Sequence, residues 1–198
     1  MSLGLLLSGG MDSIALAWWK RPNVAFTIDY GQVCAEAEIR AAEAVCSDLG
    51  IRHEIIQVDC RSLGSGDLAG IPADSNAPVQ EWWPYRNQLL ITLAGMRGIA
   101  LGVKELMVAA VISDAVHADG RPDFVDRLDA LMHLQEGGMR LSAPAISMAS
   151  VELVKISGIP LQVLAWAHSC HRSNYACGDC RGCYKHRDTM DALGYGAY

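Results

Sequence analysis

No hydrophobic run in this chain reaches the ~20 residues needed to span a bilayer, because glycine, polar or charged residues interrupt each one. Positive charge is not in excess either. Lys and Arg total 16 against 22 Asp and Glu, giving a net charge of -6 and a pI of about 5.4. That balance argues against broad binding to nucleic acid. A basic leader with a cleavage site is missing ahead of the first apolar run, so the expected address is the cytoplasm. Internal repeats and low-complexity tracts are absent as well. What remains is 198 residues, 51% hydrophobic and 19% charged, enough for one domain with a sizeable core and a small appendage.

Apolar runs alternate with helical patterns. Residues 3–7 read as a first strand and the stretch to Lys20 as a helix. Residues 24–28 form a second strand, and 35–49 a helix closed by Gly50. Residues 52–58 form a third strand, 88–101 a helix before Gly102, and 105–112 a fourth strand. This alternation predicts an α/β fold: a Rossmann-like parallel sheet with helices on both faces. Residues 60–84, rich in Gly, Ser, Asp and Pro, form a long loop of the kind that is functional or disordered. Its Trp82-Trp83 pair is a candidate for stacking on a planar base or for an oligomer contact.

The turn Ser8-Gly9-Gly10-Met11-Asp12-Ser13 joins the first strand to the first helix. Free N–H groups at a helix start form an anion site, and two glycines let the backbone turn tightly around it. Ser8 and Ser13 add hydroxyl donors, and Asp12 is placed to cap the helix or to hold a metal ion on a phosphate chain. The turn lacks the Gly-Lys-Ser/Thr ending of a Walker loop, so it is either another phosphate cradle or an ordinary serine-capped turn. Ligands of open parallel sheets bind beyond the carboxyl ends of the strands. Three further polar clusters fall there: Asp29-Tyr30-Gly31-Gln32, Ser113-Asp114, and Pro84-Tyr85-Arg86-Asn87 at the end of the long loop. Together they predict a single ligand crevice.

Four of the seven cysteines, Cys170, Cys177, Cys180 and Cys183, follow the spacing C-x6-C-x2-C-x2-C. Two-residue gaps let sulfurs converge on one ion, and four thiolates around zinc make a closed structural site. An iron–sulfur cluster is the rival, although the downstream Cys-Pro of the bacterial ferredoxin run is missing. His168, His171 and His186 are secondary ligand candidates, and Cys34, Cys46 and Cys60 have no assigned chemistry. These features divide the chain into a nucleotide-binding domain at residues 1–166 and a metal-binding segment at 167–198.

Taken together, these residues resemble the 7-cyano-7-deazaguanine synthase (QueC) family of PP-loop ATP pyrophosphatases. Ser-Gly-Gly-Met-Asp-Ser resembles its PP-loop, Asp29–Gln32 its second motif, and Pro84, Arg86 and Asn87 its Pro-x-Arg-Asn segment. Asp114 with Gly120, Pro122 and Asp123 is similar to its substrate motif, and Cys170 to Cys183 to its C-terminal zinc knuckle. The resemblance implies ATP-dependent activation of the carboxylate of 7-carboxy-7-deazaguanine, amidation by ammonia, and dehydration to the nitrile. It implies that Ser8, Gly9, Gly10, Ser13 and Asp29 hold ATP, with Asp12 beside Mg²⁺, and that Asp12 and Ser13 serve the chemistry. Tyr30, Gln32, Arg86, Asn87, Asp114 and Asp123 would face the deazaguanine, and the zinc would be structural. A small-molecule substrate, no direct nucleic acid, no membrane and a homodimer complete the expectation.

The chain departs from the family pattern at three places. The family's phosphate-directed lysine, in a Lys-x-Glu arrangement, falls at Ser150-Val151-Glu152, and Lys155 lies about 140° further round the helix. Val33 and Cys34 replace basic residues, and the family's glutamate falls at Ala37, flanked by Glu36 and Glu38. A lost phosphate cation costs on the order of 2–3 kcal/mol. That loss motivates a second reading, a QueC-like enzyme of an anti-phage defence operon that transfers the activated deazaguanine to a protein or other amine. A degraded nucleotide-binding scaffold is a third, and the intact loop argues against it.

Overall fold

In a computed structural model that describes residues 2–196, five parallel strands form one sheet in the order β3-β2-β1-β4-β5. The strands are β1 (Ser2–Leu6), β2 (Val24–Asp29), β3 (Arg52–Gln57), β4 (Val103–Met107) and β5 (Arg140–Ser142). Side chains alternate between faces along a strand. In β2, Val24, Phe26 and Ile28 therefore enter one apolar cluster while Ala25 enters the other. The first cluster is covered by α4 (Arg86–Ala100) and α5 (Pro122–Leu134). Opposite it, α1 (Met11–Lys20), α2 (Ala35–Leu49), α6 (Ser150–Ser157), the single turn α7 (Leu161–Leu164) and α8 (Arg181–Ala192) cover the second. The expected fold class is the one found. No helix among the described residues is long and apolar enough to cross a membrane.

The strand order reverses between β1 and β4, so the loops after these two strands leave in opposite directions and open a crevice. Into it run the turn after β1 and the segment after β4. That segment was expected to continue as strand to residue 112. Instead, β4 ends at Met107, Val108 makes one further bond to the Ser142 carbonyl, and the chain tightens into a 3₁₀ turn at Ile112–Val116. Elements that the sequence pattern did not mark include β5, at three residues too short to show a period, α5, whose inward face is carried by few residues, among them Val125 and Leu128, and α8 beside the cysteines.

Residues 60–84 are anchored at a few buried positions, while 61–63 and most of 70–80 are exposed. The segment contains a 3₁₀ turn (Arg61–Leu63) and α3 (Gly66–Ala69), with Leu68 buried. Trp83 is 4% exposed, its ring edge-on to Tyr30 at 4.9 Å. Stacking on a ligand base or on another copy through Trp83 is thereby corrected: its indole is a core anchor for the loop, because the Tyr30 ring already covers it.

Candidate functional site

The two glycines of the first turn serve different ends. Gly9 has φ +73°, and a Cβ there would lie 2.5 Å from the Glu38 carbonyl oxygen and 3.0 Å from Ala41 Cβ, both on α2. Gly10 caps α1 at an ordinary φ of -77°, and a Cβ there meets nothing closer than Ser8 Oγ at 3.4 Å. The turn is closed by Ser13 Oγ donating to the Gly10 carbonyl (2.8 Å) and by the Gly9 carbonyl accepting from His168 N–H (2.9 Å). Ser8 and Ser13 hydroxyls lie 3.2 Å apart. Gly9→Ala is therefore expected to cost about 2 kcal/mol or more, from a left-handed backbone plus the clash. Gly10→Ala should leave the melting temperature unchanged yet weaken nucleotide binding by filling the space over the loop. Calorimetry and nucleotide titration on the two variants separate these effects.

Two adjoining cavities open at this turn. The smaller, ≈ 210 Å³, is walled by Ser8, Gly10, Asp12 and Ser13, by Ser150 of α6, and by α8. The larger, ≈ 300 Å³, runs from Ser8 and Ser13 past Tyr30, Arg86 and Asn87 to Asp119, Gly120 and Phe124. Asp114, Glu38, His171 and Lys185 line both. Among the described residues, three buried side-chain polar atoms lack a hydrogen-bond partner: Asp12 Oδ1, Ser150 Oγ and His171 Nδ1. All three belong to residues lining the smaller cavity. Buried polar atoms are paired as a rule, so orphans gathered at one place mark a site for a polar ligand. Asp12 Oδ1 in particular fits a divalent cation carried on phosphates, with Asp114 across from it.

Arg86 starts α4, directly after Tyr85, which takes the left-handed φ of +56°. Burial disfavours the Arg86 charge, but Tyr30, Asp119 and Glu38 around it hold it firmly protonated. Burial likewise pushes the Tyr30 hydroxyl well above its ordinary range, and Arg86 only partly offsets this. Glu38 is the counterpart. Burial raises its carboxyl to about 7, against hydrogen bonds from Gln32 (2.7 Å) and Cys34 (3.5 Å) and the attraction of Arg86. A guanidinium and a carboxyl poised near neutrality thus face one cavity, an arrangement suited to binding an anion and moving a proton.

The C-terminal helix closes the site. Arg181 and Lys185, four residues apart on α8, share a face. Arg181 donates to Glu81 (2.6 Å) and to the Ser113 carbonyl (3.1 Å) and lies 3.1 Å from His117 Nε2, tying the long loop and the segment after β4 to α8. Burial would raise the Glu81 carboxyl, but hydrogen bonds from His117 and Arg181 hold it down at about 2. Lys185 Nζ sits 2.8 Å from Asp12 and 3.0 Å from Asp114.

Sulfurs of Cys170, Cys177, Cys180 and Cys183 all lie within 4.8 Å of one another, with Cys177 and Cys183 at 3.9 Å. Tetrahedral thiolates around zinc at 2.3 Å stand ~3.8 Å apart, so the cluster is already shaped for a metal. Backbone N–H groups of His171 and Cys183 donate to Cys180 Sγ and that of Asp179 to Cys177 Sγ, each at 3.4 Å, bonds that favour thiolates.

Of the residues singled out in the sequence, Ser8, Asp12, Ser13 and Asp114 meet at the smaller cavity, and Tyr30, Arg86 and Asn87 at the larger. Gly9 shapes the turn from behind. Gln32 is a buried brace: its side chain accepts from Tyr30 N–H (2.9 Å) and donates to the Ile28 carbonyl and Glu38. Two of the expected residues are not brought to these cavities. Asp29, at the end of β2, lines a separate cavity beside Gly31 and Arg61, where it accepts the Gly31 N–H. Asp123 is exposed in the first turn of α5, while Asp119 and Gly120 take the place at the cavity. Glu38 was noted only as a neighbour of Ala37, and Glu81, Arg181 and Lys185 were missed; the signal for the last two was their spacing of four on either side of Cys183.

A parallel α/β sheet with a glycine turn at its switch point, a polar crevice and a four-cysteine cluster defines a protein of the PP-loop fold type. Solved structures agree at the level of fold. A U34-tRNA thiolase, NcsA, from Methanococcus maripaludis matches with a TM-score of 0.53 at 16% identity over 96% of this chain and 64% of its own. An NMN synthetase from Francisella tularensis matches with 0.51 at 15% identity over 100% and 79%. The chain belongs to the QueC family, since the model of the queuosine biosynthesis protein QueC matches residues 4–194. Relatives called 7-cyano-7-deazaguanine synthase include those of Desulforudis audaxviator, 33% identical over 90% of this chain and 91% of theirs, and Ralstonia pickettii, 30% identical over 96% and 94%.

Proposed function

We propose that this protein is an ATP-dependent 7-cyano-7-deazaguanine synthase. The observation that carries the reading is the adjoining pair of cavities, one walled by the PP-loop with its orphaned polar atoms, the other by Arg86 and Asn87. The first would hold the phosphates of ATP against Ser8, Gly10 and Ser13, and Asp12 and Asp114 would hold a divalent cation that neutralises phosphate charge. A planar, carboxylate-bearing base occupies the second, its carboxylate on Arg86 and its edges on Asn87 and Asp119. The carboxylate oxygen attacks the α-phosphorus and pyrophosphate leaves. Ammonia displaces AMP to give the amide; a second ATP then adenylates the amide oxygen with release of a second pyrophosphate, and loss of AMP and two protons gives the nitrile. Glu38, with its carboxyl near neutrality, is placed to take a proton from the incoming ammonium. We assign residues 1–166 to the nucleotide-binding part and 167–198 to a segment held by zinc.

Incubation with ATP, Mg²⁺, 7-carboxy-7-deazaguanine and ammonium, followed by mass spectrometry, tests this. Nitrile with AMP and pyrophosphate is the expected product. Accumulated amide without nitrile would favour transfer to another amine, and no AMP under any condition would leave only a binding protein. Metal analysis should find one zinc per chain; iron with visible absorbance would replace that assignment.

A further inference from the structure

The cavity walled by the PP-loop has one feature that a phosphate site cannot do without and that the loop itself does not supply. A triphosphate brings several negative charges into a place that already holds Asp12 and Asp114. Among the residues lining this cavity, Lys185 is the single Lys or Arg. Arg86 and Arg181 line only the larger cavity, and Arg181 is committed to Glu81 and the Ser113 carbonyl. Lys185 lines both, at the seam where a phosphate and a carboxylate would meet. Its ammonium rests between the two carboxylates, 2.8 Å from Asp12 and 3.0 Å from Asp114.

Resting on the functional reading above, we propose that Lys185 is the phosphate-binding cation of this site, parked on Asp12 and Asp114 until the nucleotide arrives. A divalent ion on the phosphates competes for the same two carboxylates, so its arrival frees the ammonium to turn onto phosphate oxygen. The lysine stem has four rotatable bonds and three donors for that move. The wall facing it is prepared: Ser150, 8% exposed, starts α6 with an unpartnered hydroxyl. The charge absent at position 150 is thus delivered from α8, two residues beyond the metal-cluster cysteine Cys183.

Inorganic pyrophosphate and AMP, each titrated calorimetrically with Mg²⁺ into the zinc-loaded protein, provide the test. Lys185→Met should weaken pyrophosphate about 10- to 100-fold, the loss of one charge-assisted contact, and AMP by no more than about 3-fold. Lys185→Arg should restore pyrophosphate binding to within about 5-fold of the wild type, which a merely structural role would not require. Unchanged zinc content and melting temperature in the Arg variant guard against misfolding. The proposal is overturned if the wild type does not bind pyrophosphate, if Lys185→Met binds it as tightly, or if AMP weakens in proportion. Nitrile formation alongside unaltered pyrophosphate binding in Lys185→Met would sink the lysine assignment alone. A pyrophosphate loss in a protein that makes no nitrile would sink the functional reading alone.

Discussion

Stripping the metal from the Cys170–Cys183 cluster, or replacing Cys183 by Ser, is expected to abolish turnover and to lower the melting temperature by about 10 °C. Four-cysteine sites bind zinc with apparent free energies on the order of 10 kcal/mol, and in a segment with little core that binding is folding energy. If the cluster contributes 3–5 kcal/mol to the whole domain, ~2–4 °C per kcal/mol gives the stated shift for a chain of this length. Distance from the chemistry offers no protection, because the helix capped by Cys180 carries Arg181 and Lys185 to the site. Gly182 underlines how tightly this end is built: a Cβ there would run into the Ser169 carbonyl oxygen and the His171 ring.

Loss of order should also spread in a defined direction. Arg181 holds Glu81, and Arg172 holds Asp67 at 3.0 Å, so two ion pairs fasten residues 60–84 to the metal segment. Amide exchange in the metal-free protein should rise in residues 168–190 and in 60–84, while β1 and β2 keep their protection. Exchange confined to the cysteine segment, with turnover intact, would show that the cluster is a passive staple.

That coupling explains what the sequence disclosed and what it withheld. Strands β1 to β3 and helices α1 and α2 were legible because each carries its own period and its own punctuation; α2 runs over residues 35–49 and ends at Gly50 with φ +63°, as the pattern demanded. The PP-loop and the cysteines were legible because their chemistry is written in adjacent residues. Lys185 was not. A charge missing at Ser150 invites a search along α6, where Lys155 is exposed and on the wrong side. Its replacement comes from a helix 35 residues downstream in the sequence, and only the packing of α8 beside α6 brings the two positions to one cavity. Asp123 lies apart for the converse reason: the first turn of α5 divides the motif, leaving Asp114 and Gly120 at the cavity and Asp123 exposed.

Arg86→Met should produce the second large effect, in two quantities at once. Affinity for the carboxylate-bearing base is expected to fall about 100-fold, the loss of a charge-assisted contact in a desolvated place. Stability should fall too, because removing one member of a buried charge cluster leaves the others uncompensated, at a cost of about 3 kcal/mol. The pH dependence identifies the partner. In the wild type, burial raises the Glu38 carboxyl from 4.5 to about 7. Between these values the folded protein keeps a proton that the unfolded chain has released, so stability declines as pH rises through this window. The full linkage is about 3 kcal/mol, of which about 1–3 is expected since Glu38 opens on a cavity. Arg86 is one of the influences holding that carboxyl down, so Arg86→Met should push it higher and extend the decline into alkaline pH. Urea unfolding at pH 5, 7 and 9 should therefore show the variant's deficit growing with pH. In Glu38→Gln the wild-type slope should flatten, and in the double variant most of the alkaline deficit should vanish, leaving a coupling energy between the two sites. A deficit independent of pH would mean that Arg86 is anchored by Asp119 and Tyr30 alone. Glu38 would then have no part in tuning the Arg86 charge proposed to receive the substrate carboxylate.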